Sequence, residues 1–413
     1  MKFTYNCIVI VANYILSIIA LFNSKIRLFV DGRKETYQKL SILKDSKNIV
    51  WFHAASLGEF EQGRPIIETI KQQYPQYKIL LTFFSPSGYE IQKEYKTADV
   101  ICYLPLDSKK NVTKFLDAVS IKMAIFIKYE FWPNFLSELE KRNIPTILVS
   151  GIFRKDQFFF KNYSNWMRKS LNAFDHFFVQ DNNSKQLLKS IQIENATISG
   201  DTRFDRVYEI LQQNNSIDVV SKFKNNQYTV VAGSTWKEDE ALLVYYINNV
   251  ATDKEKFIIA PHNIISKDIE QLKKAIQKKV IMYSEIDVST TFENQQVFII
   301  DTIGILTKIY SYGDAAYVGG GFTKSGVHNV LEPATFGLPI VIGPVYKKYK
   351  EVVDLVSLSG CKISKNQEEF SAIFRKLYAN KSFRTETGKI SQKYIENNIG
   401  ATSMIINYIQ KFL

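Results

Sequence analysis

The sequence predicts an α/β protein built from two doubly wound parallel sheets, one in each half of the chain. Short apolar runs alternate with polar stretches of helix length. These runs are continuously hydrophobic, which is typical of parallel strands covered on both faces. This alternation is interrupted once, by a polar stretch without clear periodicity, and then resumes. With 413 residues the chain is long enough for two or three domains.

Each half of the chain supplies its own set of predicted strands, joined by right-handed helical crossovers. In the first half we expect strands at residues 48–56, 78–84, 99–105, 123–127, 145–151 and 176–180. In the second half we expect strands at residues 228–234, 256–262, 297–301, 315–321 and 338–344.

The position of the polar stretch predicts the domain boundaries. We expect an N-terminal helix at residues 1–24, a first domain at 25–207, a linker at 208–227 and a second domain at 228–413, with the last helix able to pack back on the first domain. Sheets of this kind bind ligands beyond the carboxyl ends of their strands, so we expect functional loops there, lining a cleft between the domains.

The composition excludes several classes of protein. Hydrophobic residues make up 46% and charged residues 23% of the chain, which excludes an extensively disordered chain and a polytopic membrane protein. The three cysteines are too few and too widely spaced for a disulfide framework or a cysteine-based zinc site, as is typical of a reducing cytoplasm. A net charge of +12 suggests an anionic partner.

An apolar run at residues 7–22 is followed by Lys25, Arg27, Arg33 and Lys34. A cleaved signal peptide is disfavoured, because basic residues stand where a cleavage site of small residues would be. A membrane anchor, or a helix lying in the lipid interface, explains both the apolar run and its basic flank. The alternative is a first helix buried in the protein core.

In the first half, three loops after apolar strands carry candidate catalytic groups. Glu59 or Glu61 is a candidate general base at the end of the first strand, although Ser56 and Glu59 also have the spacing of a helix capping box. Glu130 lies in an aromatic loop and either acts as a desolvated acid or caps a helix. Arg203 could face a phosphate or be a solvated surface residue.

In the second half, two loops favour nucleotide binding. Ser234 and Thr235 follow a strand and Gly233 at the start of a helix, a typical arrangement for binding phosphate. We interpret the acids at 238–240 as first-turn residues that favour the helix dipole and predict no metal. Three glycines precede a loop containing Asn329 and Glu332, whose carboxylate could accept both hydroxyls of a ribose or simply cap a helix.

Six segments, taken together, resemble a known family. They are HAASLGEFEQG, KYEFWPN, SGDTRFD, AGSTWKEDE, DTIGIL and GGGFTKSGVHNVLEPATFGLPIVIGP. In this order and spacing they are similar to the 3-deoxy-D-manno-octulosonic acid (Kdo) transferases of lipopolysaccharide assembly. The resemblance implies a two-domain GT-B glycosyltransferase at the cytoplasmic side of the inner membrane. It would transfer Kdo from CMP-Kdo to a lipid A precursor of the lipid IVA type, with inversion and without metal or cofactor.

The resemblance also implies roles for individual residues. Glu59 matches the general base, and Glu130 and Arg203 match positions that stabilise the transition state. The residues matching CMP contacts are Pro261, His262, Ile303, Gly304, Ile305, Asn329, Val330, Leu331 and Glu332. The chain departs from the family pattern in two places. It has Pro261-His262-Asn263 where Pro-Arg-His is frequent, and Arg203 where lysine is frequent.

Two alternative functions remain from the sequence. One is another GT-B enzyme that uses a UDP-sugar, such as an N-acetylglucosaminyl transferase or an epimerase. Such an enzyme would bind UDP in preference to CMP. A membrane-tethered nucleic-acid-binding protein would suit the positive charge, but it requires exposed aromatic residues within a basic stripe. Most aromatic residues here fall in the apolar runs, so we expect no nucleic-acid partner.

Overall fold

The computed structural model describes residues 2–161, 164–287 and 290–413, and the chain divides into two compact units. The first unit contains Met1–Asp205 together with Ile399–Leu413, and the second contains Arg206–Asn398. Each unit has a seven-stranded sheet, and all neighbouring strands in both sheets pair in parallel. The predicted α/β architecture with two doubly wound sheets is therefore confirmed.

The first sheet has the strand order β3-β2-β1-β4-β5-β6-β7. Its strands are β1 (Ile49–Ala54), β2 (Lys78–Phe83), β3 (Val100–Tyr103), β4 (Ile121–Ile127), β5 (Thr146–Gly151), β6 (His176–Val179) and β7 (Ala196–Ile198). From β1 the chain moves outward to β2 and β3, and then returns to β4 on the other side of β1. This reversal makes a switch point between β1 and β4, where such sheets place their ligands.

Helices cover both faces of the first sheet. They are α1 (Lys2–Ile19), α2 (Ser24–Lys34), α3 (Thr36–Leu40), α4 (Leu57–Gln73), α5 (Pro86–Gln92), α6 (Lys109–Ala118), α7 (Pro133–Lys141), α8 (Asn165–Ser170), α9 (Asn182–Ser190) and α10 (Arg203–Glu209). Side chains of β1 alternate between two cores: Trp51 packs on one face of the sheet and Phe52 on the other. Burial on both faces explains the continuous hydrophobic runs.

The second sheet has the order β10-β11-β9-β8-β12-β13-β14, with a switch point between β8 and β12. Its strands are β8 (Tyr228–Thr235), β9 (Glu255–Pro261), β10 (Val280–Met282), β11 (Val297–Ile299), β12 (Ala315–Val318), β13 (Ile340–Ile342) and β14 (Cys361–Ile363). Its helices are α11 (Asp218–Lys224), α12 (Lys237–Asn249), α13 (Ser266–Ala275), α14 (Leu306–Ile309), α15 (Leu331–Thr335), α16 (Lys350–Ser357), α17 (Gln367–Ala379) and α18 (Lys381–Glu396).

The stretch expected to be a linker, residues 208–227, differs from the prediction. It contains a 3-10 turn at Ile210–Gln212 and helix α11, and the fully buried Val220 and Phe223 pack into the core of the second unit. The units divide between Asp205 and Arg206. The expected linker is therefore part of the second unit, because two apolar side chains three residues apart are enough to anchor a short helix.

The two ends of the chain lie in the first unit. The last helix, α19 (Ala401–Ile409), buries Ile405, Ile406 and Ile409 in one core of this unit. Helix α1 is long and apolar enough to cross a membrane, and none of its residues is buried. The alternative of a first helix buried in the protein core is therefore wrong.

Candidate active site

Glu59 lies in the first turn of α4, directly beyond the carboxyl end of β1. Its side chain is only 8% exposed, and Oε2 accepts a hydrogen bond from the backbone N–H of Ala55 at 2.5 Å. Within the described residues, the Ser56 side chain makes no capping bond. The alternative, a capping box, is therefore only half formed. The Glu59 carboxylate accepts a hydrogen bond from the backbone just before the helix, but the Ser56 hydroxyl does not accept one from the backbone of the first turn.

The environment of Glu59 suits a general base. Burial is the main cause that raises the pKa of Glu59 from 4.5 to about 7, and the negative charge of Glu130 raises it further. The amides of Ala55 and Ser56 and the ammonium of Lys128 act in the opposite direction. A carboxylate with this pKa is available near neutral pH and binds a proton far more strongly than an exposed glutamate.

Glu130 follows β4, on the other side of the switch point, and is 7% exposed. Its Oε2 accepts hydrogen bonds from Trp132 Nε1 at 2.7 Å and lies 2.9 Å from His53 Nε2. Sequence reasoning named Glu130 but missed both partners. The signal for His53 was a histidine inside an otherwise apolar, doubly covered strand, because a buried ring must find partners for both nitrogens.

Arg203 forms an ion pair with Asp201. Its Nε and Nη2 donate to Asp201 Oδ2 at 3.0 and 2.8 Å, and its backbone N–H donates to Oδ1 at 2.9 Å. Although burial opposes ionisation, the charge of Arg203 holds the pKa of Asp201 below its usual value. Asp201 Oδ2 also accepts from Gln62 of α4 at 3.0 Å. This network attaches the Arg203 guanidinium to the helix that carries Glu59.

In the second unit, the loops after β8 and β9 meet. Thr235 pairs with Pro261 across the two strands, and the backbone N–H of His262 donates to the carbonyl of Thr235 at 2.9 Å. The Thr235 hydroxyl, expected to be available for phosphate, donates instead to Glu240 at 3.0 Å. Ser234 adopts a left-handed backbone conformation with φ of 54°. A cavity of about 240 Å³ opens beside Thr235 and Pro261.

Asp239 joins the two loops on either side of the second switch point. Its fully buried carboxylate accepts hydrogen bonds from the backbone N–H groups of Trp236 and Gly320, at 2.9 and 2.8 Å, and from the Tyr317 hydroxyl at 2.6 Å. We had interpreted the acids at 238–240 as dipole-favouring residues. Asp239 does cap α12, but it also fixes the glycine-rich loop after β12.

Three rings stack at the same edge of the second sheet. His262 stacks against both Trp236 and His328, with ring centroids 4.8 and 4.3 Å apart, and the planes of Trp236 and His328 differ by only 4°. Trp236 Nε1 donates a hydrogen bond to His328 Nε2 at 2.8 Å. Burial, and then the neighbouring His262, lower the pKa of His328 to about 4. His328 is therefore neutral at physiological pH, which leaves Nε2 free to accept this bond.

The loop after β11 lies against the segment 329–332. Glu332 Oε1 accepts from Asn329 Nδ2 at 3.0 Å, and Oε2 accepts from the Thr307 hydroxyl at 2.8 Å. Asn329 Oδ1 also accepts from the N–H of Leu331 at 3.0 Å. The predicted residues of these two segments are thus adjacent. They are Ile303, Gly304, Ile305, Asn329, Val330, Leu331 and Glu332.

The side chains of these two segments differ in exposure. Ile303 is 85% exposed, whereas Val330 and Leu331 are buried. Gly304 has φ of 95°, a conformation open to glycine. The parts of the chain that the structure describes contain no group of three or more His, Cys, Asp or Glu side chains placed to hold a metal ion.

Comparison with known proteins supports the resemblance seen in the sequence. Residues 30–206 match the family model of the 3-deoxy-D-manno-octulosonic-acid transferases (kdotransferases). A 3-deoxy-D-manno-octulosonic acid transferase of Haemophilus influenzae is 26% identical over 385 residues, which cover 88% of this chain and 87% of that protein. The first unit thus matches the Kdo transferase family model, and most of the chain is similar to one Kdo transferase.

Two further proteins are similar to the chain, one in sequence and one in fold. A bifunctional glycosyltransferase/methyltransferase of Fusobacterium nucleatum is 28% identical over 346 residues, or 80% of this chain, which spans only 52% of that longer protein. The UDP-GlcNAc 2-epimerase of Neisseria meningitidis has a similar fold, with a TM-score of 0.58 and 12% identity over 88% of this chain and all of that one. The chain thus has the GT-B fold.

Proposed function

We propose that this protein transfers Kdo from CMP-Kdo to a lipid A precursor of the lipid IVA type, inverting the anomeric centre without a metal. The observation that carries the proposal is the buried Glu59 carboxylate with a pKa of about 7 at the switch point of the first sheet, in a chain similar to Kdo transferases. Its net charge of +12 suits a donor and an acceptor that are both anionic.

In the proposed reaction, a hydroxyl oxygen of the acceptor attacks the anomeric carbon of Kdo. Glu59 accepts the proton of that hydroxyl while the new carbon–oxygen bond forms. The bond between the anomeric carbon and the phosphate oxygen breaks, and CMP leaves with the bonding electrons. Arg203 would stabilise the negative charge that builds on the phosphate. Its ion pair with Asp201 supports this role by fixing the direction of the guanidinium.

The second unit is the proposed site of the cytidine nucleotide. The convergence of the loops after β8, β9, β11 and β12 supports this assignment, since ligands bind at such strand ends. Glu332 and Asn329 would contact the ribose, with Thr307 orienting the Glu332 carboxylate. Pro261 and His262, beside Thr235, would contact the remainder of CMP. These groups require no metal ion to hold the nucleotide.

Mass spectrometry of the lipid product, after incubation with CMP-Kdo and a lipid A precursor, tests donor and acceptor together. We expect the lipid to gain the mass of Kdo. Glu59→Gln should abolish transfer while CMP affinity stays near normal, and Glu332→Ala should weaken CMP binding. Competition between CMP and UDP separates the proposal from a UDP-sugar enzyme. An unmodified lipid with active wild-type protein, or preferential binding of UDP, would overturn the proposal.

We also propose that the protein works at the cytoplasmic side of the inner membrane, with α1 lying in the lipid surface. The less exposed positions of this segment, Tyr5, Val9, Ala12, Leu16 and Ala20, recur at helical spacing, so one face is turned toward the first unit. The remaining apolar side chains are exposed, including Phe3, Ile8, Ile15 and Phe22. An exposed apolar surface of this size marks an interaction site.

Contacts at both ends of the helix support a surface position over a spanning one. Tyr5 Oη donates to Asp107 at 2.8 Å, and Arg27 of α2 donates to the carbonyls of Ala20 and Leu21 at 3.2 and 3.1 Å. A helix whose two ends are held by one domain cannot have them on opposite sides of a bilayer.

The depth of a fluorophore on Cys7 tests this geometry directly. Cys7 is exposed whereas Cys102 and Cys361 are buried, so a maleimide dye labels α1 selectively. With vesicles of anionic phospholipid, we expect quenching by shallow spin-labelled lipids to exceed quenching by deep ones. Deep quenching, or absence of vesicle binding, would contradict the surface position.

A further inference from the structure

A chain of hydrogen bonds runs through the buried sheet behind the two acids of the first unit. Trp51 Nε1 donates to the Thr82 hydroxyl at 2.8 Å, and this hydroxyl lies 2.9 Å from His53 Nδ1. His53 Nε2 lies 2.9 Å from Glu130 Oε2, which also accepts from Trp132 Nε1. Trp51, His53 and Thr82 are fully buried, so water does not substitute for any of these bonds.

The chemistry of the partners fixes the hydrogen between His53 and Glu130. At the other nitrogen, Nδ1 lies 2.9 Å from the Thr82 hydroxyl and 3.2 Å from the Thr82 carbonyl. An indole N–H only donates, so the Thr82 oxygen accepts from Trp51 and keeps its own hydrogen to donate. A carboxylate only accepts, so the hydrogen between His53 and Glu130 must lie on Nε2. With Nε2 as donor, Nδ1 can accept from the Thr82 hydroxyl. Each polar group in the chain then has a partner of the opposite kind.

Resting on the proposed role of Glu59, we propose that His53 is a positioning residue whose Nε2–H holds the Glu130 carboxylate in its orientation beside Glu59. His53 does not contact substrate in this proposal. It acts through Glu130, whose charge is the second cause, after burial, that raises the pKa of Glu59. The basicity of Glu59 thus depends on a hydrogen bond that His53 makes inside the sheet.

Other charged and titratable groups face this pair of acids and are part of the balance. Lys128, from the loop after β4, lowers the pKa of Glu59, as do the amides of Ala55 and Ser56. Tyr129 lies near Glu59, and burial raises its own pKa; Arg154 and Asp181 act on Tyr129 in opposite directions. None of these side chains is altered in the variants of His53.

The pH profile of Kdo transfer by the full-length protein tests the proposal. His53→Phe keeps a ring of similar size but removes the donor to Glu130. We expect a loss of turnover of at least about tenfold, and an acid limb moved down by about one pH unit, because Glu59 no longer faces a fixed negative charge. Glu130→Gln should move the limb in the same direction. The double variant should resemble Glu130→Gln alone, since both changes break one link.

Two further variants and a KM measurement serve as controls. His53→Gln retains an N–H donor and should recover part of the wild-type profile. Thr82→Val removes the hydroxyl that lies beside Nδ1 and that accepts from Trp51 Nε1. It leaves His53 and Glu130 in place and serves if His53→Phe fails to fold; it should shift the limb in the same direction by a smaller amount. KM for CMP-Kdo should stay within about threefold in these variants, since the donor residues are untouched.

Two results would overturn the proposal: an unmoved acid limb in His53→Phe while Glu130→Gln shifts it, or an unmoved limb in Thr82→Val where His53→Phe does not fold. The pH dependence of unfolding reports the ionisation of Glu59 without any substrate. Absence of Kdo transfer by the wild type would therefore count against the proposed function alone, whereas identical unfolding profiles of wild type and His53→Phe would count against His53.

Discussion

Replacing Glu59 by glutamine should stabilise the first unit at alkaline pH while removing its activity. Burial and Glu130 raise the pKa of Glu59 from 4.5 to about 7. Below the lower value the side chain is protonated in both the folded and the unfolded chain, and ionisation has no effect on stability. Between the two values only the unfolded chain releases the proton, so stability falls as pH rises, and above the folded value the loss is constant.

The expected magnitude follows from the size of this shift. One pKa unit corresponds to about 1.4 kcal/mol, so the buried carboxylate destabilises the fold by about 3 kcal/mol above neutral pH. Glutamine has nearly the same shape and can still accept from the Ala55 N–H, but it carries no charge. We expect Glu59→Gln to increase the free energy of unfolding by about 3 kcal/mol near pH 8 and by close to zero near pH 4.

Urea denaturation followed by tryptophan fluorescence measures this difference. Trp51, Trp132 and Trp166 lie in the first unit and only Trp236 lies in the second, so the signal reports mainly on the unit that contains Glu59. Glu140→Gln, at an exposed site on α7, is the matched control and should show little effect at either pH. Equal stability changes at both pH values, or destabilisation at alkaline pH, would refute the electrostatic account of Glu59.

Three further predictions concern packing and the nucleotide loops. Asp239→Asn should lower CMP affinity about tenfold, measured by calorimetry, because one amide oxygen cannot replace a carboxylate that accepts three bonds; the exposed Glu238→Gln is its control, and equal affinities would exclude a role for Asp239. Gly319→Ala would place a Cβ 2.3 Å from the backbone oxygen of Ser234 in β8, costing about 1–3 kcal/mol in urea unfolding, whereas at Gly58→Ala the Cβ meets nothing within 4 Å and the change should be tolerated. Ile405→Ala, at a fully buried site, should destabilise the first unit by about 2–5 kcal/mol. A smaller loss of stability would mean that neighbouring side chains move into the space left by Ile405.

The sequence predicts the central strands well and the edges poorly. Strands such as β1 and β8 are buried on both faces, and their continuous apolar runs are distinctive. Three of the four edge strands, β7, β10 and β14, have only three residues each and are not predicted. Strands β11 and β13 are equally short, but they lie within longer apolar runs. The position of each unpredicted edge strand depends on the neighbouring strand, which a local window does not include.

The candidate site divides in the same way. Glu59, Glu130 and Asn329 stand in loops directly after strands, where chain order alone indicates function. His53 and Asp239 act through partners distant in sequence, namely Thr82 and Glu130 for the first and Gly320 for the second. Such contacts depend on strand order, and the sequence alone predicted that two sheets exist but not which loops meet.

The place of the final helix has a consequence for biosynthesis. Residues 399–413 complete a core that is otherwise formed by residues before position 206, and Asp205 binds the start of α19 through Gly400 and Thr402. The whole second unit is therefore synthesised before the first sheet can be fully covered. Until then, the apolar surface that receives Ile405 and Ile409 is open to chaperones, and the growing chain cannot finish its domains strictly in order of synthesis.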